Sequence, residues 1–306
     1  MVGVAKVINT VTGKITKKQL GTTYIHEHLY VVPNDLPKYY DYTLDDIDKS
    51  IYETFSFKNV GGNSLVDLTP INYGRSPLLL KKISEVTGVN ILFVTGFHKE
   101  EFQPKWLEKL NSSQVYDFLT HEIVDGVTSQ HLKPGAMKLG TSLNQVNASE
   151  KKVIEIEARV QRDLRIPIIT HCDKGTMGLE QLKILQENGA ELSHVCLSHV
   201  DLAEDVSYIE EIFKQGASIS FDHVGRSLTD CDSKDVEMIT QLVNDGFVDQ
   251  ICLAGDMGRK KYFNAYNGKP GLKYILTSLK KELLKHMNLQ DFNKMVQDNP
   301  QRILEM

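Results

Sequence analysis

The sequence has few cysteines, and no two of them are spaced as in a metal-binding or redox-active pair. Only four occur among 306 residues, and no two form the Cys-x-x-Cys pattern of a zinc or redox site. Cys172, Cys196 and Cys252 lie in apolar runs, whereas Cys231 lies in a polar stretch. We therefore predict free thiols, mostly buried, in a reducing compartment.

Long hydrophobic runs are also missing. No segment approaches the roughly 18 uninterrupted apolar residues of a membrane span. The first residues, MVGVAKVINTVTGK, lack the basic and then apolar regions of a secretory signal. A net charge of −5 gives no general attraction to nucleic acid or to an anionic membrane. We expect a cytoplasmic protein that acts on a small molecule, without nucleic-acid or membrane partners.

No glycine-rich phosphate loop of the Gly-x-Gly-x-x-Gly type follows any strand-like run, which disfavours a doubly wound nucleotide-binding fold. Instead, eight strand-like segments alternate with stretches of helical periodicity such as EKKVIEIEARVQRDL, GLEQLKILQENGA and AEDVSYIEEIFKQGA. The strand-like segments are TTYIHEH, NSLVDLT, NILFVTGFH, GAMKLG, IPIITHC, HVCLSHV, ASISFDHV and QICLAGD. Eight β/α units predict an α/β fold, the (β/α)8 TIM barrel, with helices that stop at Gly189 and Gly216.

The segment before the first barrel strand predicts a small accessory hairpin. Residues 1–20 include VINTVTGKITKKQL, with Thr12-Gly13 as the expected turn, and we expect this hairpin to cover the bottom of the barrel. The chain has no linker rich in proline, glycine or serine and no low-complexity tract. We therefore expect residues 1–306 to form one domain.

Five of the eight predicted strands end in a side chain that can serve a metal site. In the stretch GTTYIHEHLY, His26 and His28 share one face of an extended strand, while Glu27 takes the other. Parallel barrel strands place their carboxyl ends at one rim, where catalytic groups of such barrels lie. The strand ends that carry these groups are His26 and His28, Lys138, His171, His199, and Asp256.

Four imidazoles, a carboxylate and a lysine are too many ligands for one open zinc site, and they suit two neighbouring ions. An ammonium group cannot bind a cation, but a buried lysine has a lowered pKa. Its neutral amine can capture carbon dioxide and become a carbamate whose two oxygens bridge two metals. Lys138 is the candidate for this carboxylation. Zinc is the default ion, and manganese, cobalt or iron would fit the same ligands.

The order of these segments resembles the phosphotriesterase-related branch of the amidohydrolase superfamily. The resemblance runs from LGTTYIHEH through GAMKLGTS, ITHCDKGT, CLSHVD and LAGD to DNPQRIL, nearly the whole chain. It implies that the His-x-His pair and Asp256 bind the more buried metal. It also implies that His171 and His199 bind the more exposed one, with carboxylated Lys138 as the bridge. Some relatives carry glutamate at the bridging position, where this chain has lysine. Many relatives are dimers, so a homodimer is one possible assembly here.

Two divalent ions outweigh the roughly three negative charges of the carbamate, Asp256 and a bridging hydroxide, so water there is deprotonated near neutral pH. The bridging hydroxide is the expected nucleophile. Asp256 would take its proton and pass it outward or to the leaving group. His223, in FDHVGR, matches a histidine thought to relay protons in phosphotriesterases, where many lactonase relatives have arginine.

The loops after the strands carry cations, which favours an anionic group on the substrate. The basic side chains of these loops are Arg75, Lys99, Lys174, Arg226, Arg259, Lys260 and Lys261. The loop DMGRKKYFNAYNGKPG is similar to that of relatives that open sugar lactones bearing a phosphate. We expect a phosphorylated aldonolactone as substrate, with Arg226, Arg259 and Tyr262 on the phosphate. Lys174 and the strand-end His98 are further candidate contacts.

Other functions stay open at this point. A phosphotriesterase or another ester hydrolase, including an acyl-homoserine lactonase, would use the same metal ligands. A non-catalytic binding barrel would be favoured by a missing ligand, and none is missing. A deaminase usually has one metal with a different histidine and glutamate arrangement, so the lysine argues against it.

Overall fold

The computed structural model describes residues 7–33, 38–226 and 232–306, so Cys231 lies outside the described residues. Cys172, Cys196 and Cys252 are buried free thiols, as predicted. Within the described ranges, no helix combines the length and the apolar character needed to cross a membrane.

The predicted hairpin is present, but it is shorter than expected and its turn comes earlier. β1 (Ile8–Thr10) pairs antiparallel with β2 (Gly13–Ile15). The turn consists of the two residues between these strands, one position before the predicted Thr12-Gly13 turn. The Thr10 hydroxyl donates a hydrogen bond to the Gly13 carbonyl at 2.7 Å, which closes the loop at that point. The last residues assigned to the hairpin form a short helix instead, α1 (Lys17–Leu20).

The eight predicted strands all form, and each pairs in parallel with the next one along the chain. They are β3 (Thr23–Glu27), β4 (Ser64–Asp67), β5 (Asn90–Gly96), β6 (Ala136–Thr141), β7 (Ile168–Cys172), β8 (Val195–Ser198), β9 (Ser218–Phe221) and β10 (Ile251–Leu253). The apolar residues of β7 and β10 are fully buried, as expected for strands that are covered on both faces.

The first and last strands meet and nearly close the sheet into a barrel. The N–H of Asp256, just after β10, donates to the His26 carbonyl in β3 at 3.0 Å. The hairpin lies at the opposite end, where the Val11 N–H donates to the carbonyl of Ile91 near the start of β5 (2.9 Å). The prediction of a (β/α)8 barrel with a hairpin at its bottom is therefore confirmed.

Helices follow the strands and surround the sheet. They are α2 (Ile47–Asn59), α3 (Pro77–Thr87), α4 (Ser112–Val124), α5 (Ala148–Leu164), α6 (Gly178–Glu187), α7 (Val206–Lys214), α8 (Ser233–Asn244), α9 (Lys280–Leu283), α10 (Leu289–Asn293) and α11 (Asn299–Leu304). The three predicted helical segments correspond to α5, α6 and α7. Helices α6 and α7 end two residues before Gly189 and Gly216, whose φ values of 87° and 92° suit glycine.

Candidate metal centre and active site

One cleft at the carboxyl end of the barrel collects all six predicted metal ligands. Its volume is about 320 Å³. The predicted ligands that line it are His26, His28, Lys138, His171, His199 and Asp256. These side chains come from five different strands, so the barrel rather than the local sequence brings them together.

His26 and His28 approach the same carboxylate. Nε2 of His28 is 3.0 Å from Oδ1 of Asp256, and Nε2 of His26 is 3.3 Å from that oxygen. Both imidazoles line the cleft and Glu27 does not, as expected for alternating side chains of a strand. Although burial opposes it, Arg226 holds the pKa of Asp256 well below its usual range. Two imidazole nitrogens and an anionic oxygen thus converge as the ligands of a divalent cation do.

His171 and His199 lie beside this group. Their ring centroids are 4.6 Å apart, and the His199 ring is 5.0 Å from that of His26. Nε2 of His171 is buried and has no hydrogen-bond partner among the described residues, which is costly unless a ligand occupies it. Burial and the neighbouring His98 lower the pKa of His171 well below its usual value. The imidazole is therefore neutral and can bind a cation.

Lys138 lies inside β6 rather than at its end, and its side chain lines the cleft with 2% of the residue exposed. Burial lowers its pKa to about 8. Its charge in turn contributes to lowering the pKa of both His26 and His171.

This donor set fits divalent metal. His26, His199 and Asp256 each offer a ligand atom, and these atoms all lie within 4.8 Å of one another. Imidazole nitrogen and carboxylate oxygen are the donors typical of zinc and similar ions. The unpartnered Nε2 of His171 supplies a further nitrogen at the same cleft.

Asp222 orients one histidine from each group, and sequence reasoning missed it. Its Oδ2 is 2.8 Å from Nδ1 of His26, and its Oδ1 is 2.8 Å from Nδ1 of His199. With hydrogen on Nδ1, each imidazole leaves Nε2 free as a ligand. Thr69 serves His28 in the same way, at 2.8 Å from its Nδ1. The only sequence signal for Asp222 was its place after β9, the seventh strand of the barrel, directly before His223.

His223 also lines the cleft, and it contacts two carboxylates. Its Nδ1 lies 3.2 Å from Oδ1 of Asp222 and 3.5 Å from Oδ2 of Asp201. Against the effects of burial and of Arg226, these carboxylates raise the pKa of His223 to about 9. The His223 ring is 4.7 Å from that of His199. Its part in proton transfer stays a prediction.

Arg226 lines the cleft, but its guanidinium is bound to the segment after β10. Nη2 donates to Oδ2 of Asp256 at 2.6 Å and to the Gly255 carbonyl at 3.0 Å. The guanidinium carbon lies 4.8 Å from the centroid of the Tyr262 ring. Tyr262 is not among the described residues that line the cleft. These two predicted phosphate contacts are thus neighbours, with most of the Arg226 donors already used.

Arg259 and Lys174 line the cleft with more available charge. Nη1 of Arg259 is 3.4 Å from Asp41, its guanidinium lies 3.9 Å from the centroid of the Tyr42 ring, and the side chain is 30% exposed. Lys174 has no carboxylate oxygen within 4.0 Å in the described part of the chain. Among the cations of the cleft it shares this property with the buried Lys138.

Arg75 does not line the cleft. Both of its terminal nitrogens are 2.9 Å from the carboxylate of Glu122, behind the sheet, and one also donates to the Val94 carbonyl at 3.0 Å. Lys99 lines the cleft but is 2.6 Å from Asp173. The loop cations inferred from the sequence therefore include several that serve as internal ion-pair partners.

An aromatic wall, which sequence reasoning also missed, faces the cleft. It consists of Tyr39, Tyr42, Tyr73 and Phe102, with the Tyr73 and Phe102 rings 5.0 Å apart. His98 belongs to the same side: its ring centroid is 4.4 Å from His171, and its Nδ1 accepts from the Lys99 N–H at 2.8 Å.

An eight-stranded parallel barrel with histidine, aspartate and lysine side chains at its carboxyl-end cleft defines the class of metal-dependent hydrolases built on this fold.

Comparison with known proteins identifies the family within this class. The sequence model of the Phosphotriesterase family matches residues 6–304. A phospho-furanose lactonase from Mycoplasmopsis synoviae (strain 53) is 31% identical over 327 aligned residues, covering 98% of this chain and 92% of the relative. The chain therefore belongs to the phosphotriesterase family, whose members are metal-dependent, and it is an enzyme of the ester-hydrolase type.

Solved structures agree with this assignment. The crystal structure of a lactonase from Listeria monocytogenes has a TM-score of 0.93 and 32% identity, with 97% of this chain and 98% of that chain covered. The phosphotriesterase homology protein from Escherichia coli, complexed with phosphate in its active site, has a TM-score of 0.90 and 27% identity, with coverage of 94% and 99%.

Proposed function

We propose that this enzyme is a binuclear metal-dependent lactonase that opens a phosphorylated sugar lactone. The observation that carries the proposal is the cleft itself, which combines all six candidate metal ligands with Lys174, a cation that has no carboxylate partner in the described residues. The relative named phospho-furanose lactonase and the lactonase of similar structure support the reaction. The phosphate in the active site of the Escherichia coli protein supports an anionic substrate.

Two divalent ions, zinc by default, would be held by His26, His28 and Asp256 on one side and by His171 and His199 on the other. The carboxylated amine of Lys138 would lie between them. The lowered pKa of Lys138 favours this carboxylation, because a neutral amine is the reactive form. When bound, the ions would supply an activated water and an electrophile for the lactone carbonyl. Manganese, cobalt or iron would suit the same donors.

The side chains of the cleft divide the remaining tasks. Asp256 accepts the proton released during attack at C1 of the lactone and passes it outward or to the leaving oxygen, and His223 relays it. Lys174 and Arg259 bind the phosphate through charge-assisted hydrogen bonds. Arg226, already paired with Asp256, stabilises that carboxylate and borders the phosphate, and Tyr262 packs against the Arg226 guanidinium.

The test compares one five-carbon aldonolactone with and without its phosphate. We expect kcat/KM for the phosphorylated lactone to exceed that of the unmodified lactone by at least about a hundredfold, since two charged contacts contribute about 3 kcal/mol or more. Equal kcat/KM for the two would contradict the phosphate specificity while leaving the lactonase reaction intact.

The metal centre is tested separately, by elemental analysis of protein purified with bicarbonate. We expect about two metals per chain in the wild type and a marked loss in Lys138→Ala. A single metal that is unaffected by this substitution would contradict the bridged centre.

A second function is favoured by the aromatic wall. Tyr39, Tyr42, Tyr73 and Phe102 offer apolar surface that would suit the aryl group of a phosphotriester or the acyl chain of a homoserine lactone. A kcat/KM for such a neutral ester above that for the phosphorylated lactone would establish this alternative.

A further inference from the structure

Glu27 stands between the two histidines of β3 and points away from the cleft. Its side chain is wholly buried. Its Oε1 accepts a hydrogen bond from the N–H of Gly255 at 2.7 Å, and its Oε2 accepts one from the N–H of Met257 at 3.0 Å. These two N–H groups belong to the residues on either side of Asp256. The side chain of one residue in the first barrel strand therefore holds the segment that carries the candidate metal ligand Asp256 after the last strand.

Asp256 has a backbone conformation that needs such support. Its φ is 42°, in the left-handed region that residues with a side chain seldom adopt. A Cβ atom on Gly255 would lie 3.0 Å from Oε1 of Glu27, so this segment is packed closely against β3. The conformation is imposed by its partners rather than preferred by the local sequence.

The position of this segment matters because the Asp256 carboxylate must face two imidazoles at once. Its Oδ1 lies 3.0 Å from Nε2 of His28 and 3.3 Å from Nε2 of His26. A displacement of about 0.5 Å is enough to degrade a catalytic or metal site. Glu27 is covalently placed between these two histidines, so its grip on Gly255 and Met257 ties the carboxylate directly to them.

We propose that Glu27 is a positioning residue that sets the place of Asp256 relative to His26 and His28, and thereby the affinity and geometry of the metal centre. The inference rests on the metal centre proposed above and is independent of the substrate.

The variant Glu27→Gln tests the two-acceptor arrangement with almost no change in volume. Each of the two oxygens of Glu27 accepts from one N–H group, whereas a carboxamide has one oxygen and would turn its NH2 toward the second N–H. One of the two contacts is therefore lost, and the segment around Asp256 is expected to shift.

Helix α2 supplies a matched control. Glu53 is also fully buried, and its two oxygens accept from the N–H groups of Ala265 at 2.7 Å and Leu272 at 3.3 Å, further along the same connection after β10. Glu53→Gln removes the same kind of contact from the same connection without touching Asp256.

The experiment is a titration of metal-free protein with Co²⁺, whose visible absorption reports both binding and coordination geometry. We expect the Co²⁺ affinity of Glu27→Gln to fall at least about tenfold and its absorption bands to change. Glu53→Gln should stay within about twofold of the wild type and keep the wild-type bands. Circular dichroism and thermal unfolding of each metal-free variant verify the fold.

A second variant protects the test against misfolding. Glu27→Asp keeps the carboxyl group with its two oxygens, but its shorter side chain cannot reach both N–H groups, so we expect a smaller change in the same direction. Wild-type affinity and spectrum in a folded Glu27→Gln or Glu27→Asp protein would overturn the proposal. An equal loss in Glu53→Gln would also overturn it, because the effect would then be a general disturbance of the connection. If the wild type bound no Co²⁺, the metal centre itself would be refuted.

Discussion

Arg226 donates a hydrogen bond from Nη2 to Oδ2 of Asp256 at 2.6 Å, while the other oxygen of that carboxylate faces the histidines of β3. The two side chains are only 14% and 18% exposed, so solvent screens this ion pair weakly. The pairing makes Arg226 a partner of the candidate catalytic carboxylate first and a contact of the substrate second.

We therefore expect the variant Arg226→Met to lose turnover to the same extent whether or not the substrate carries a phosphate. We expect kcat to fall about tenfold or more for the phosphorylated lactone and for its unmodified counterpart alike, since Asp256 would lose the partner that orients its carboxylate. Steady-state kinetics on both substrates decide the matter. If the loss were confined to the phosphorylated lactone, Arg226 would belong to the phosphate site.

For Lys174→Met we expect the opposite, a loss of kcat/KM that is confined to the phosphorylated lactone. This cation lines the cleft and has no carboxylate partner within the described ranges, so its charge is available to the substrate. A hydrogen bond to a charged group contributes about 1.5 to 3 kcal/mol, so kcat/KM for the phosphorylated lactone should fall about 10- to 100-fold. The unmodified lactone should be almost unaffected. The control is Lys183→Met, which removes an exposed lysine of α6 away from the cleft. An equal loss in Lys183→Met, or no loss in Lys174→Met, would count against the assignment.

Asp222→Asn predicts a weakened metal centre. The carboxylate accepts from Nδ1 of both His26 and His199, and an amide has only one oxygen for the two. The imidazole that faces the amide NH2 must accept through Nδ1, which places hydrogen on the Nε2 that should bind metal. We expect at least about tenfold weaker Co²⁺ binding. The control is Asp201→Asn, because Asp201 contacts His223 rather than His26 or His199. This variant should bind Co²⁺ as the wild type does.

The buried carboxyl group of Glu157 should make the stability of the fold depend on pH. Its carboxyl group is fully buried behind β5, and neither oxygen has a hydrogen-bond partner in the described structure, because the nearby Phe97 N–H already donates to the Lys138 carbonyl at 2.7 Å. Burial raises the pKa of Glu157 well above its usual value. The folded chain therefore keeps a proton that the unfolded chain releases above about pH 4.3. The contribution of Glu157 to the free energy of unfolding is therefore greatest below the unfolded pKa. It falls as pH rises from there toward the folded pKa.

The matched variant is Glu157→Gln, which has no proton to lose. Between pH 5 and 8 we expect its free energy of unfolding to rise relative to the wild type by up to about 1.4 kcal/mol per pH unit. The difference between the two proteins should become constant below about pH 4. Urea denaturation of the metal-free proteins across this range measures it. Parallel curves for the two proteins would show that Glu157 is ionised in the fold.

Much of the site was predictable because the candidate metal ligands, except Lys138 inside β6, sit at or near strand ends. The alternation in GTTYIHEHLY placed His26 and His28 on one face, and both line the cleft with Glu27 turned away. Parallel strands also predicted that His171 and Asp256 would meet these histidines at one rim. Periodicity and glycine signals were enough for these features, because each depends on a few neighbouring residues.

The partners of the charged side chains were not predictable in this way. Arg75 and Arg226 looked equivalent as loop arginines, yet one pairs with Glu122 and the other with Asp256. Arg259 meets Asp41 across 218 positions of the chain. Such pairs depend on which loops face each other, and no local pattern reports that distance.

The linear order of residues thus specified the barrel, its eight strands and the candidate metal ligands, because backbone alternation and parallel pairing dictate where each strand end points. Tertiary structure alone decided how those ligands are held. It joined Asp222 to His26 and His199, and it set Glu27 against the two N–H groups that flank Asp256. Hydrogen bonds of this kind act over about 3 Å, and only the assembled barrel brings the ends of β3, β8, β9 and β10 within that range.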